Sequence, residues 1–155
     1  ELVLDDYRPQ LDEAQRLLAK NDIAKAIEVL EGLLGAKPDH GQALIVLGDA
    51  YLLIKSTDRA RDAFQRALAK RDKDPAAMLG MGMTELADGK YEASILWLGR
   101  AVNEAGGDRA ILADLYRGLG VAWRRRGDLD KAVRELRKSV VEDGDGALVT
   151  GGFDG

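Results

Sequence analysis

Cysteine is absent from the 155 residues and histidine occurs once, at His40. The first absence excludes disulfide frameworks and thiolate metal sites, and the second excludes a histidine cluster. Serines and threonines are few, and no motif sets one beside His40, so no nucleophile, base and oxyanion donors come together in the sequence. The chain reads as non-enzymatic, with no cofactor and no metal. Aromatics make up only 5% of the residues, which favours helices packed through Ala and Leu over a sheet core. No apolar run reaches about 18 residues, which excludes a membrane-spanning helix. The opening Glu1-Leu2-Val3-Leu4-Asp5 lacks the basic flank and apolar stretch of a signal peptide. A cytoplasmic setting is the default expectation; the absent initiator Met suggests a processed chain or an excised fragment, and a removed signal would allow the periplasm or another compartment.

The net charge of -4 is unevenly spread. Lys and Arg number 5 against 9 Asp and Glu over residues 1–40, 9 against 10 over 41–108, 9 against 4 over 109–141, and 0 against 4 over 142–155. A basic segment is therefore followed by an acidic one.

A small residue recurs at Ala14, Gly48, Gly82 and Gly120, at spacings of 34, 34 and 38. Other positions keep step with it. The second copy reads Leu47-Gly48, Tyr51, Ala60, Phe64, Ala67, and the fourth Leu119-Gly120, Trp123, Ala132, Leu136, Ser139. The third reads Met81-Gly82, Glu85, Ser94, Leu98, Ala101, and the first Glu13-Ala14, Leu17, Ala26, Leu30, Leu33, closing with Pro38. Two antiparallel helices approach closely only where bulk is missing, and a large side chain fills the space beside them. Asn21-Asp22, Ser56-Thr57-Asp58, Asp88-Gly89 and Gly127-Asp128 supply turn residues and N-caps between the helices of each pair. Asp74-Pro75 adds a cap followed by a proline at the first helical position. The pattern predicts helices over about 8–19, 23–35, 40–54, 58–71, 75–87, 91–105, 109–126 and 129–142. The four extra residues before the fourth copy equal about one helical turn, so its first helix should start one turn early, capped by Asp108.

With these anchors in place, residues 8–142 resemble the tetratricopeptide repeat family, most closely in the second and fourth repeats. Glu13, Glu85 and Ser94 depart from its pattern. The resemblance implies an all-α, right-handed superhelical solenoid of four antiparallel helix pairs, with repeats at about 7–40, 41–74, 75–108 and 109–142. A lead-in at 1–7 precedes them. A Gly-rich acidic tail follows at 143–155, and its Leu148, Val149 and Phe153 suggest folding back on the fourth repeat or entering a neighbour's groove.

The resemblance further implies a scaffold or adaptor that holds a helix or peptide of a partner protein on the concave face lined by the first helices. The candidate groove residues are Ile45, Asp49, Leu52 and Leu53 in repeat two, Leu79, Met83 and Leu86 in repeat three, and Arg117, Val121, Arg124 and Arg125 in repeat four. Several of these would serve equally in packing between repeats. Family members that hold acidic chaperone tails use a clamp of Lys, Asn and Arg, but Ile45, Asp49, Leu79 and Met83 stand at the matching places. The expected partner is instead an apolar segment with an acidic portion. Nucleic acid is disfavoured, because the chain is acidic and no aromatic platform interleaves the arginines. Trp123 is expected in the core. The fourth repeat ends without an evident polar cap, so exposed Val133, Val140 and Val141 favour self-association into homo-oligomers as the alternative reading.

Apparent motifs fail on context. Gly80-Met81-Gly82 lies within a predicted helix and lacks the strand and third glycine of a dinucleotide loop. Asp143-Gly144-Asp145 lacks the later ligands of a calcium loop.

Overall fold

Small residues set 34 apart leave the rest of each segment free to alternate apolar and charged faces, and every segment takes up the helix this pattern requires. The computed structural model describes residues 6–143. It contains α1 (Arg8–Ala19), α2 (Ile23–Ala36), α3 (Gly41–Leu53), α4 (Thr57–Lys70), α5 (Pro75–Ala87), α6 (Tyr91–Glu104), α7 (Arg109–Arg126) and α8 (Leu129–Asp143). No strand occurs among the described residues, and none of their helices is long and apolar enough to cross a membrane. The expectations for the tail, including Leu148, Val149 and Phe153, lie outside the described residues.

Tertiary contacts divide the chain between Asp72 and Lys73 into two compact units. In the first, α1 packs on α2, α2 on α3 and α3 on α4, and α1 also reaches α3. In the second, α5 packs on α6, α6 on α7 and α7 on α8, and α5 also reaches α7. Each unit is thus two helix pairs in which neighbours in sequence are neighbours in space, the arrangement expected of stacked repeats.

The small anchors mark the closest approaches. A Cβ placed on Gly48 would lie 2.5 Å from the Phe64 ring, one on Gly82 2.6 Å from Leu98, and one on Gly120 2.6 Å from Leu136. Each partner stands sixteen residues after its glycine, and the first pair of helices repeats the spacing with Ala14 and Leu30, both fully buried. Full burial of Phe64, Leu30 and Leu98 is worth about 1.5–3 kcal/mol for each side chain.

The turns inside the pairs also repeat. Asn21, Lys55, Gly89 and Gly127 all have positive φ, at 63°, 61°, 75° and 101°, and follow the same 34, 34 and 38 spacing as the anchors. Glycine adopts that conformation without strain, whereas Lys55 carries a Cβ against its carbonyl. The N-caps depart from expectation in two places. Asp74, Asp108 and Asp128 accept hydrogen bonds from the N–H groups of Ala76, Ile111 and Lys131, but Asp22 and Ser56 make no such bond. His40 takes up a capping role instead: its Nδ1 accepts from the Ala43 N–H at 3.2 Å, with the Tyr7 ring edge-on at 5.7 Å. Capped by Asp108, α7 starts at Arg109, eleven residues before Gly120, while α3 and α5 begin seven before their own glycines, so the long spacing is one added turn at the front of α7.

Candidate functional site

On α3, α5 and α7 the residues turned away from the paired helix recur at i, i+4 and i+7, because that spacing keeps side chains on one helical face. They are Ile45, Asp49 and Leu52 on α3, Leu79, Met83 and Leu86 on α5, and Arg117, Val121 and Arg124 on α7.

In the first unit, Ile45 and Leu52 are half-buried, Asp49 is exposed, and Leu53 and the following Ile54 are exposed at 58% and 49%. The rest of α3 turns inward, through Ala43, Leu44, Val46, Leu47, Gly48, Ala50 and Tyr51.

In the second unit, Leu79, Met83 and Val121 are half-buried, and Arg117, Arg124 and Arg125 are exposed. Leu86 is a correction to the expected groove. It is 5% exposed and offers a partner almost no area. Met83 lies where α5 and α7 meet: a Cβ on Gly118 would come 3.2 Å from its sulfur and 3.2 Å from Leu98. Gly118 is therefore the small residue that lets α7 close on α5, and Met83 is half in the packing and half at the surface.

The basic cluster of repeat four divides around the helices. Arg126 pairs with Glu92 at 3.1 Å and lies over the Trp123 ring at 5.4 Å, with Lys131 at 4.4 Å from the same ring. Trp123 departs from the core position expected of it and is half-buried, because the two cations and the start of α8 share its faces with α7. Lys138 lies over Tyr116 at 5.4 Å, and Arg117 bonds Asp114 at 2.8 Å. Arg124 and Arg125 point to solvent.

A cleft of about 670 Å³ in the first unit escaped the sequence reading. Glu31, Tyr51, Arg59 and Arg66 line it together with Asp58 and Asp62. The Tyr51 hydroxyl donates to Glu31 Oε1 at 2.9 Å, and Arg59 lies 5.8 Å above the ring. Burial first, and then the hydrogen bond to an anion, push the Tyr51 phenol above its ordinary value. Nearby, Lys70 holds the Asp39 carboxyl below the usual range through a 2.9 Å hydrogen bond and its charge, and Arg66 donates to the Pro38 carbonyl at 3.1 Å. The last two of these links fasten the loop between α2 and α3 to α4. The partners in these hydrogen bonds stand 20 to 31 residues apart, so no local spacing signals them. The cleft is already balanced internally: anions face cations, and the phenol is engaged. Among the described residues no group of His, Asp and Glu is arranged to hold a metal ion.

A helical solenoid is also what comparison finds. The chain superposes on a thermophilic TPR protein of Thermus thermophilus with a TM-score of 0.80 at 16% identity, over 94% of this chain and 78% of that one. On a crystal structure of MamA the TM-score is 0.70 at 22% identity, over 93% and 82%. For MamA 41-end from Desulfovibrio magneticus RS-1 it is 0.70 at 21%, over 97% and 78%. At such identities the likeness speaks to the fold, an all-α solenoid of helical repeats. The BBSome complex member BBS4 homolog of Drosophila melanogaster is 26% identical over 117 residues, 75% of this chain and 23% of that protein; the chain spans about a quarter of that relative's length. A family model described as tetratricopeptide repeat matches residues 11–75 and 56–110, well over half of the sequence, and the chain belongs to the tetratricopeptide repeat family.

Proposed function

We propose that this chain is a protein-interaction scaffold that performs no chemistry of its own and holds an apolar, partly acidic segment of a partner polypeptide on the α5 and α7 face of its second unit. Tetratricopeptide repeats are protein-interaction folds, and the surface supplies the finer reading. Leu79, Met83 and Val121 leave apolar area half open, while Arg117, Arg124 and Arg125 stand exposed beside them. The observation that carries most weight is Met83, held against Gly118 on one side and open on the other, since a flexible thioether adapts to an incoming apolar side chain. Each half-buried anchor leaves about half of the 1.5–3 kcal/mol of full burial to be gained on binding. Arginines at the rim would add steering and orientation more than affinity.

Selection of a displayed random-peptide library on the immobilised chain tests this. Enriched peptides should combine aliphatic or aromatic anchors with Asp or Glu. Arg124→Glu with Arg125→Glu, both exposed and safe for folding, should abolish capture of the acidic class, and Leu79→Asp should weaken all of it. Equal capture by the wild type and both variants, with circular dichroism showing intact helices, would overturn the assignment.

A further inference from the structure

The chain has three methionines and no cysteine, so sulfur chemistry with a two-electron oxidant falls to Met78, Met81 and Met83. All three stand on α5, and the fold treats them differently. Met78 and Met81 are 7% and 3% exposed, whereas Met83 is half-buried. Its sulfur marks the place where α7 closes on α5, 3.2 Å from the point a Cβ on Gly118 would occupy. Leu98, fully buried, comes within 3.2 Å of the same point, and Gly118 itself is buried. A thioether suits this apolar seam, because it is polarisable and carries no strong hydrogen-bonding group.

One added oxygen changes that. A sulfur lone pair attacks the terminal oxygen of a hydroperoxide, the S–O bond forms and the O–O bond breaks. The leaving oxygen takes up the proton of the transferred hydroxyl and departs as an alcohol, or as water from hydrogen peroxide; sulfur has lost two electrons and the peroxide has gained them. The sulfoxide oxygen is a strong acceptor. Turned toward Gly118 and Leu98 it finds no donor, since N–H groups in the interior of α7 are committed to their own helix, and an unsatisfied buried acceptor is costly. Turned outward it sets a dipole on the face that carries Leu79 and Val121. We infer that Met83 is an oxidation site for hydroperoxides, and that its sulfoxide loosens the α5–α7 contact and makes this face polar, releasing an apolar partner segment until the sulfoxide is reduced. The release rests on the function proposed for this face; the selective oxidation and the loosened contact do not.

The full chain is treated with hydrogen peroxide, and the oxygen gained at each methionine is followed by peptide mass spectrometry. Met83 should convert at least about tenfold faster than Met78 or Met81. Full conversion should lower the urea midpoint of the second unit, which both tryptophans report, and methionine sulfoxide reductases with a dithiol should restore it. Met83→Leu, compared with itself before and after peroxide, should show no shift. Capture of the selected peptides should weaken about three- to tenfold on conversion of the wild type, and peroxide should leave capture by Met83→Leu at its own starting level. Comparable rates at the three methionines, or an unchanged midpoint after full conversion of Met83, would overturn the inference. So would unchanged capture by the oxidised chain where Leu79→Asp lowers it. Unchanged capture by both the oxidised chain and Leu79→Asp instead refutes the partner surface, and the rates and midpoint still decide the oxidation site.

Discussion

Adding one methyl group at three glycines should give three different results, and the contacts set the order. In Gly48→Ala the new Cβ would sit 2.5, 2.6 and 2.9 Å from three ring atoms of Phe64, against a comfortable separation of about 3.5–4.0 Å. The ring must retreat by about 1 Å, yet Phe64 is fully buried. Overpacking of this kind costs about 1–3 kcal/mol, and the better helix propensity of alanine returns about 0.8–1 kcal/mol. Because the fully buried ring has no open space to move into, the upper half of that range applies, and the net is a loss of about 1–2 kcal/mol. In Gly120→Ala the clash is with Leu136 at 2.6 Å, but that side chain is 37% exposed and can swing outward, so the two terms nearly cancel. In Gly32→Ala, in the interior of α2, nothing lies within 4 Å of the added methyl, and the propensity gain of about 0.8–1 kcal/mol remains whole. Urea unfolding followed by far-UV circular dichroism reads the order from the midpoints, provided the slope is unchanged. Both tryptophans, Trp97 and Trp123, lie in the second unit, so fluorescence alone would miss the response at Gly48. Stability equal to or above wild type in Gly48→Ala would refute the reasoning that Phe64 demands a glycine there, as would failure of Phe64→Leu to recover part of the loss in the double variant.

Two further outcomes are expected. Ser94 is fully buried and its Oγ has no hydrogen-bond partner among the described residues, so Ser94→Ala should stabilise the chain by about 1 kcal/mol, seen as a raised urea midpoint. Tyr51→Phe should lower stability at neutral pH by about 1–2 kcal/mol by removing the bond to Glu31. Because folding raises the Tyr51 pKa, the folded state retains a proton that the unfolded state has lost once pH passes about 10. The tyrosine contribution is therefore complete below that pH and fades as pH rises through the higher folded value, so the gap between wild type and Tyr51→Phe should narrow in alkaline urea titrations.

Some of the molecule is legible along the chain because the constraint is local. A helix pair joined by a short turn must bring the anchor opposite the side chain sixteen residues on, and the identities Gly48 and Phe64, Gly82 and Leu98, Gly120 and Leu136 announce it. The positions of eight helices, their pairing and the extra turn at the start of α7 all follow from that period and from capping chemistry. The turn residue Lys55 shows where the signal weakens: it adopts a glycine conformation, and only the spacing from Asn21, Gly89 and Gly127 reveals it.

For the candidate surface, helical periodicity alone determined that Ile45, Asp49 and Leu52, Leu79 and Met83, and Arg117, Val121 and Arg124 share faces of α3, α5 and α7. Tertiary structure decided how much of each face stayed exposed. Leu86 is buried, Trp123 is half-buried with Arg126 and Lys131 over its ring, and His40, in the loop after α2, caps α3. The physical reason is that periodicity fixes the direction of a side chain from its own helix, whereas burial depends on which neighbouring helix arrives on that side and how closely its small residues let it approach.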